Sequence, residues 1–313
     1  MVGGTGGRVV VVGSANVDLF FRTDSLPAPG ETVAAKSTSR SFGGKGANQA
    51  VTVAKLGGSA AMVCRVGKDQ AGDELLENFR RFGVDTRFAI RDSGTPSGMA
   101  FITVDRHGEN TIVIYSGSNG RLSPDDVETA HGVMEKAGVV VAQLEIPLET
   151  VRKAAEAARG MGVPFILNPA PAPSRDIGDI LANVDLLCPN ASEASALTGM
   201  KIDGIDGAKE AGRKLMRLGI GTVVLTLGKS GALLMREGGA EHIPSPEVSA
   251  LDTTGAGDAF VGALALSMAN GSGIDEAVRF ANVAAAISVT KEGTQAGLPT
   301  FEEVEAMKKD FFS

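Results

Sequence analysis

Asp252-Thr253-Thr254-Gly255-Ala256-Gly257-Asp258-Ala259-Phe260 is the stretch on which the reading turns. In the run that follows, Ala259 to Ala269, Phe260, Leu264 and Met268 recur at fourfold spacing, one face of a helix. That helix begins at Gly255-Ala256-Gly257. A helix N-terminus presents unpaired N–H groups and a partial positive charge. Two glycines let an anion approach the backbone closely, and Asp258 sits just inside the first turn. An anion hole beside a carboxylate suits phosphoryl transfer to a hydroxyl: the hole holds developing negative charge and the carboxylate takes the proton. The same residues also read as an ordinary helix cap, with small residues for packing and Asp in a first turn. The stretch alone leaves both readings open.

Outward from it, the pattern is strands alternating with helices. Val9 to Val12 is a β-branched run, a buried parallel strand. Gly46 to Leu56 reads as a helix stopped by Gly57-Gly58, Ala60 to Val66 as a buried strand, and Asp73 to Phe82 as an amphipathic helix. From Ser123-Pro124-Asp125-Asp126, a helix start, the alternation is regular: strands at Val139 to Leu144, Pro164 to Leu167, Leu186 to Cys188 and Thr222 to Leu227 are separated by helices. Ala232 to Met235 pairs back on Thr222 to Leu227. The helices Ala256 to Asn270 and Asp275 to Val289 follow, then a terminal helix opened by the capping box Thr300-Phe301-Glu302-Glu303. This order predicts an α/β fold, a doubly wound, mainly parallel sheet flanked by helices. Strands at about 18–42 and the hairpin at about 98–115 predict a small protruding β-sheet lid. Neither repeat nor low-complexity linker interrupts the chain, so 1–313 reads as one domain.

Hydrophobic residues at 43% suffice for a large core, and with 4% aromatics and no Trp that core is aliphatic. A net charge of −7 without a Lys/Arg block argues against nucleic acid as a partner. No apolar run reaches transmembrane length, which argues against a membrane. Cys64 and Cys188 lie in apolar stretches and read as buried free thiols in a reducing compartment. Met1 to Arg8 is Gly-rich and lacks a signal peptide's apolar core, so the expected location is cytoplasmic. His107, His131 and His242 lack zinc-ligand spacing.

Ligands in doubly wound folds bind beyond the carboxyl ends of the strands, and several polar motifs follow strands here. In Ser14-Ala15-Asn16-Val17-Asp18, Asn16 and Asp18 alternate, so an amide and a carboxylate on one face could bind a diol; an Asx turn is the plain alternative. Gly43-Gly44-Lys45-Gly46-Ala47-Asn48 puts flexible backbone, a cation and an amide at a helix start, for a sugar or a phosphate, or else it is a loop with a solvated lysine. Gln143-Leu144-Glu145 ends a strand with a carboxylate. Asn190 and Glu193, three apart, suit water-mediated Mg²⁺ binding or a helix cap. Thr226-Leu227-Gly228-Lys229-Ser230-Gly231 lies between two strands, and position 223 is Val, so it is no Walker A loop.

Gly43-Gly44-Lys45-Gly46-Ala47-Asn48-Gln49-Ala50 and Asp252 to Asp258, with Pro27 to Thr32, Asn168-Pro169-Ala170-Pro171-Ala172 and Pro189 to Glu193 in order between and around them, resemble the PfkB carbohydrate kinase family, in its ribokinase-type form, along nearly the whole chain. The resemblance implies ATP-dependent phosphorylation of D-ribose at its 5-hydroxyl, with deoxyribose, fructose or a nucleoside such as adenosine as alternative acceptors. A non-catalytic sugar-binding sensor on the same fold is the reading from another class; intact Asp258 and Gly255 to Gly257 speak against it. Asp258 would be the base, and the amides of Gly255, Ala256 and Gly257 the anion hole. Asn16, Asp18, Gly44, Lys45, Asn48 and Glu145 would hold the sugar, with a further contact from Asp258. Asn190, Thr226, Gly228, Gly257 and Asn282 would line the ATP side, and Glu193 would organise Mg²⁺ through water. Asp252, Thr254, Ser288, Lys291, Gly293 and Gly297 match positions that bind an activating K⁺, several through carbonyls. Members of this type often form homodimers through the lid.

Overall fold

Val9 and Val11 pack into one hydrophobic layer and Val10 and Val12 into another, all four without exposed surface. A strand buried on both faces needs a layer of helices on each side, and the computed structural model, which describes residues 7–312, has that arrangement. Residues 1–6, most of the Gly-rich start at Met1 to Arg8, lie outside the described residues, as does Ser313.

The strands are β1 Arg8–Val12, β2 Asn16–Arg22, β3 Ser37–Gly43, β4 Ser59–Gly67, β5 Ala89–Asp92, β6 Gly98–Val104, β7 Asn110–Tyr115, β8 Val139–Ala142, β9 Phe165–Leu167, β10 Leu186–Leu187, β11 Thr222–Thr226, β12 Ala232–Arg236 and β13 Gly239–Ile243. The large sheet has the order β13-β12-β11-β10-β9-β8-β1-β4-β5. It is parallel from β11 through β5, and β12 and β13 add an antiparallel edge. From β1 the chain builds first toward β4 and later toward β8, so the order reverses beside β1. The carboxyl ends at that reversal are where such sheets bind ligands.

The small sheet has the order β3-β2-β6-β7. β2 is antiparallel to β3 and parallel to β6, and β6 is antiparallel to β7. Only residues 13–15 separate β1 from β2, which ties this sheet to the carboxyl edge of the large one. All six residues of β7 are exposed.

Three expectations change. The helix Ala256–Ala269 is buried from Asp258 to Ser267 rather than along one face. It packs against the helices Lys45–Lys55 and Ile274–Ser288 as well as the sheet, so apolar residues surround its whole circumference. Of the stretch at about 18–42 expected to supply strands, residues 23–36 lie outside β2 and β3. The edge strands β5 and β13, short and of mixed polarity, lie where no strand was expected and lack the unbroken apolar run that marks the interior ones. Both expected helix starts at Ser123 and Thr300 carry reciprocal caps, Ser123 with Asp126 and Thr300 with Glu303. Cys64 and Cys188 are buried and free. Among the described residues no helix is long and apolar enough to cross a membrane.

Candidate active site

Gly255 opens the helix Ala256–Ala269 in the left-handed region, at φ 80°. A Cβ there would also lie 2.7 Å from Thr294 Cγ2, so the position requires glycine. No side chain caps this helix. The Ala256 amide donates to Thr253 O at 3.3 Å, whereas the amides of Gly255, Gly257 and Asp258 have no acceptor among the described residues. Of the three amides expected in the anion hole, two are open, and the Asp258 amide joins them.

The Asp258 side chain is buried, 6% exposed. Its Oδ2 accepts from Asn48 Nδ2 at 2.8 Å and its Oδ1 from Gln49 Nε2 at 3.1 Å. Burial raises its pKa above the ordinary carboxylate range, and Glu145 adds to that; the charge of Lys45 and the donors of Asn48 and Gln49 oppose it. Lys45 is half-buried. Burial alone would lower its pKa, but the carboxylates of Asp258, Glu145 and Glu193 outweigh it and hold the ammonium charged.

The expected sugar contacts gather beside Asp258. Asn16 is buried, and its Oδ1 accepts from Asn119 Nδ2 at 2.7 Å, which leaves the Asn16 amide group as the free donor. Asp18 is pushed up to about 7 by burial, then by Glu145 and Asp258, so three carboxylates share this pocket. Glu145 Oε2 accepts from Ser14 Oγ at 2.5 Å and from the Lys45 amide at 3.0 Å, joining the segment after β1 to the helix Lys45–Lys55. Gly44, at φ 86°, caps that helix where a Cβ would meet Ala15 Cα and Asn16 N, each at 2.9 Å. The close crossing at Gly44 brings the two motifs together.

A cavity of about 180 Å³ joins Lys45, Asn190, Glu193, Thr226, Gly257 and Asp258. Asn190 and Glu193 form a reciprocal cap on the helix Ala191–Thr198: Asn190 Oδ1 accepts from the Glu193 amide at 2.8 Å, and the Glu193 carboxylate accepts from the Asn190 amide at 2.9 Å and from its Nδ2 at 2.8 Å. Burial raises the Glu193 pKa; the Asn190 amide and Lys45 lower it, and Asp258 raises it. Among the described residues no three His, Cys, Asp or Glu side chains cluster as a metal cage; magnesium carried by a nucleotide keeps water and phosphate ligands and needs few carboxylates, so one carboxylate on the cavity wall fits it. Gly228 begins the turn between β11 and β12. Asn282 is buried, and its Nδ2 donates to Ile243 O at 3.0 Å and Pro244 O at 3.3 Å.

The expected cation loop lies behind the open helix end. Asp252 accepts from the Thr254 amide at 2.9 Å and the Gly293 amide at 3.1 Å. A Cβ on Gly297 would lie 3.2 Å from Ser288 O and 3.4 Å from Lys291 O. Two carbonyls thus converge on a residue without a side chain, and the Lys291 ammonium points away, to Glu303 at 2.6 Å. The Ser288 and Lys291 carbonyls and the Asp252 carboxylate are all oxygen donors, the ligand type that hard cations take.

A family model described as pfkB family carbohydrate kinase matches residues 7–301. The chain belongs to the pfkB carbohydrate kinases. It is 38% identical over 300 residues to the ribokinase of Staphylococcus aureus (strain COL), covering 95% of this chain and 98% of that one. It is equally 38% identical, over 295 residues, to the deoxyribokinase of Salmonella typhi, covering 94% and 96%. The solved structure of Arabidopsis thaliana ribokinase complexed with ribose and ATP superposes with a TM-score of 0.90 at 34% identity, covering 97% of this chain and 99% of that one. This pfkB kinase is accordingly a phosphotransferase acting on an alcohol group.

Several residues of the kinase's site escaped the sequence reading. Gln49 stood inside the quoted motif, but nothing in the motif shows that neighbouring helix residues grip both oxygens of one carboxylate. Asn119, which also bonds Ala15 N at 2.9 Å, and Ser14 act through partners more than 100 residues away. No local pattern marks them.

Proposed function

We propose that this kinase transfers the γ-phosphoryl group of ATP to the 5-hydroxyl of D-ribose. The observation that carries the reading is the open helix end beside Asp258: free amides at Gly255, Gly257 and Asp258, a charged Lys45 and a buried carboxylate meet at one cavity. Similarity to ribokinases along the chain supports ribose as the acceptor. Asp258 takes the proton of the attacking hydroxyl, and the free amides hold charge on the migrating group. Asn16, Asp18, Gly44, Lys45, Asn48 and Glu145 hold the sugar under the small sheet. Asn190, Thr226, Gly228, Gly257 and Asn282 line the nucleotide side, and Asn282 also holds the end of β13.

Magnesium bound with the nucleotide supplies charge neutralisation at the phosphates, and Glu193 is its water-mediated anchor. Asp252, Thr254, Ser288, Lys291, Gly293 and Gly297 hold potassium and keep the helix start in shape. The chain works as one cytoplasmic domain whose small sheet is a lid. The exposed apolar residues of β7, Ile112 to Tyr115, with Phe101 beside them, support a homodimer through that lid.

ADP release measured over ribose, deoxyribose, fructose and adenosine tests the reading. Ribose is expected to have the highest kcat/KM. Deoxyribose winning would move the assignment to the sugar of the Salmonella relative. Asp258→Asn keeps the shape and removes the base, so kcat should fall by roughly 10²–10⁴ with sugar affinity retained. Near-normal turnover would remove Asp258 from its role.

A further inference from the structure

Buried side-chain amides run to Asp258 from two sides. On one, Asn78 Nδ2 donates to Gln295 Oε1 (2.7 Å), Gln295 Nε2 to Asn48 Oδ1 (3.1 Å), and Asn48 Nδ2 to Asp258 Oδ2 (2.8 Å). On the other, Gln143 Nε2 donates to Gln49 Oε1 (2.6 Å), and Gln49 Nε2 donates to Asp258 Oδ1 (3.1 Å) and to Asn168 Oδ1 (3.2 Å). Gln49 and Gln143 have no exposed surface.

Direction is forced through both arms. An ionised carboxylate only accepts, so Asn48 and Gln49 must turn their NH₂ groups to Asp258. Their oxygens then face backward and accept from the next amide. Each link repeats the orientation, and the amide dipoles add with their positive ends toward Asp258. A packing core has no need of this: buried amides are costly to desolvate, and Gln143 Oε1 is left without a partner among the described residues.

We propose that Gln49, oriented by Gln143, is a positioning residue that fixes Oδ1 of Asp258 and keeps that carboxylate in its accepting form. The proposal rests on Asp258 being the base. Around Asp258, burial and the carboxylates of Glu145, Asp18 and Glu193 favour the protonated form, while Lys45 and Asn48 favour the ionised one. Removing the Gln49 donor shifts that balance toward protonation, and a protonated Asp258 cannot accept the hydroxyl proton. Activity is therefore lost from the acid side.

The test is single-turnover phosphoryl transfer to ribose, at saturating sugar and ATP, followed from about pH 5 to about pH 9. Gln49→Met keeps the length and removes the donor. Its acid limb should move up by about one pH unit, so turnover falls roughly tenfold on that limb and recovers to within about threefold at the alkaline end. Gln143→Met leaves Gln49 in contact but unanchored, and its limb should move the same way by less. ADP binding by calorimetry shows that each variant is folded. An unmoved limb in Gln49→Met, or a loss uniform in pH, overturns the proposal. If Gln49→Met does not fold, Gln143→Met decides alone by the same criterion. Asp258→Asn, run beside them, separates the two ideas: activity retained there defeats the assignment of the base, whereas activity lost there with unmoved limbs in the glutamine variants defeats only the positioning role.

Discussion

Two of the helix N-termini at the cavity of this kinase are finished in opposite ways. The helix Ala191–Thr198 is closed by Asn190 and Glu193, each side chain bonded to the other's backbone amide. The helix Ala256–Ala269 has no side-chain cap, and its first turn leaves the amides of Gly257 and Asp258 open. Burial does not separate them, since Glu193 and Asp258 are each 6% exposed. Hydrogen-bond accounting does. A capping box consumes the donors that an anion would use. A glycine start without a cap leaves them for a ligand. The first helix end is satisfied by its own sequence, and the second keeps donors of the kind an anion takes.

The strongest way to break the contrast is to change the open end. In Gly255→Ala a residue with a Cβ must hold φ 80° and press on Thr294 Cγ2. The left-handed backbone costs such a residue about 1–2 kcal/mol, and the turn that aims the amides moves. We expect kcat to fall about 10²-fold, the scale of losing one oxyanion donor, with ADP affinity within about threefold. A kcat within threefold of the parent would mean that this helix end does not hold the transferring group.

A smaller effect is expected from behind it. Asp252 fastens the Thr254 and Gly293 amides, and so joins the segment before the open end to the loop where the carbonyls of Ser288 and Lys291 converge. Exchanging potassium for lithium should lower kcat roughly tenfold, a common scale for coupling between adjacent sites. Asp252→Ala should abolish the difference between the two salts. Equal rates in both salts for the parent chain would remove the cation from the proposal and leave Asp252 as a fastener of two loops.

The sequence made the parallel sheet legible because its interior strands, such as Val9 to Val12, are buried on both faces and so are apolar without interruption. The edge strands β5 and β13 carry no such demand and passed unnoticed. The site was legible where chemistry is concentrated locally, at Gly43 to Asn48 and at Gly255 to Asp258. It was illegible where it depends on contacts far apart in the chain: Gln49 to Gln143 spans 94 positions and Asn48 to Gln295 spans 247. Each stretch taken alone left cap and site both open, because Asn, Asp and Glu near a helix start serve both purposes, and at Asp252 to Asp258 it was the rest of the chain that favoured a site. The partner of each amide distinguishes them directly.

The capped end supplies the finest test. Asn190→Ala removes the side chain that receives the Glu193 amide and also frees the Glu193 carboxylate from Asn190 Nδ2. Losing an N-cap costs about 1 kcal/mol, which for a chain of this size lowers Tm by roughly 2 °C. If the nucleotide binds in this part of the cavity, as proposed, KM for ATP should rise by about threefold while kcat changes by less than about twofold. Asn190→Asp keeps an oxygen that can accept the Glu193 amide, but sets a second carboxylate beside Glu193. If capping is all that Asn190 does, Asp restores Tm and KM together. If Tm returns and KM does not, the amide group of Asn190 contacts the nucleotide, and this end of the cavity is both a cap and a site. If neither variant moves Tm, the reciprocal bonds contribute nothing measurable, and the contrast between the two helix ends rests on the open one alone.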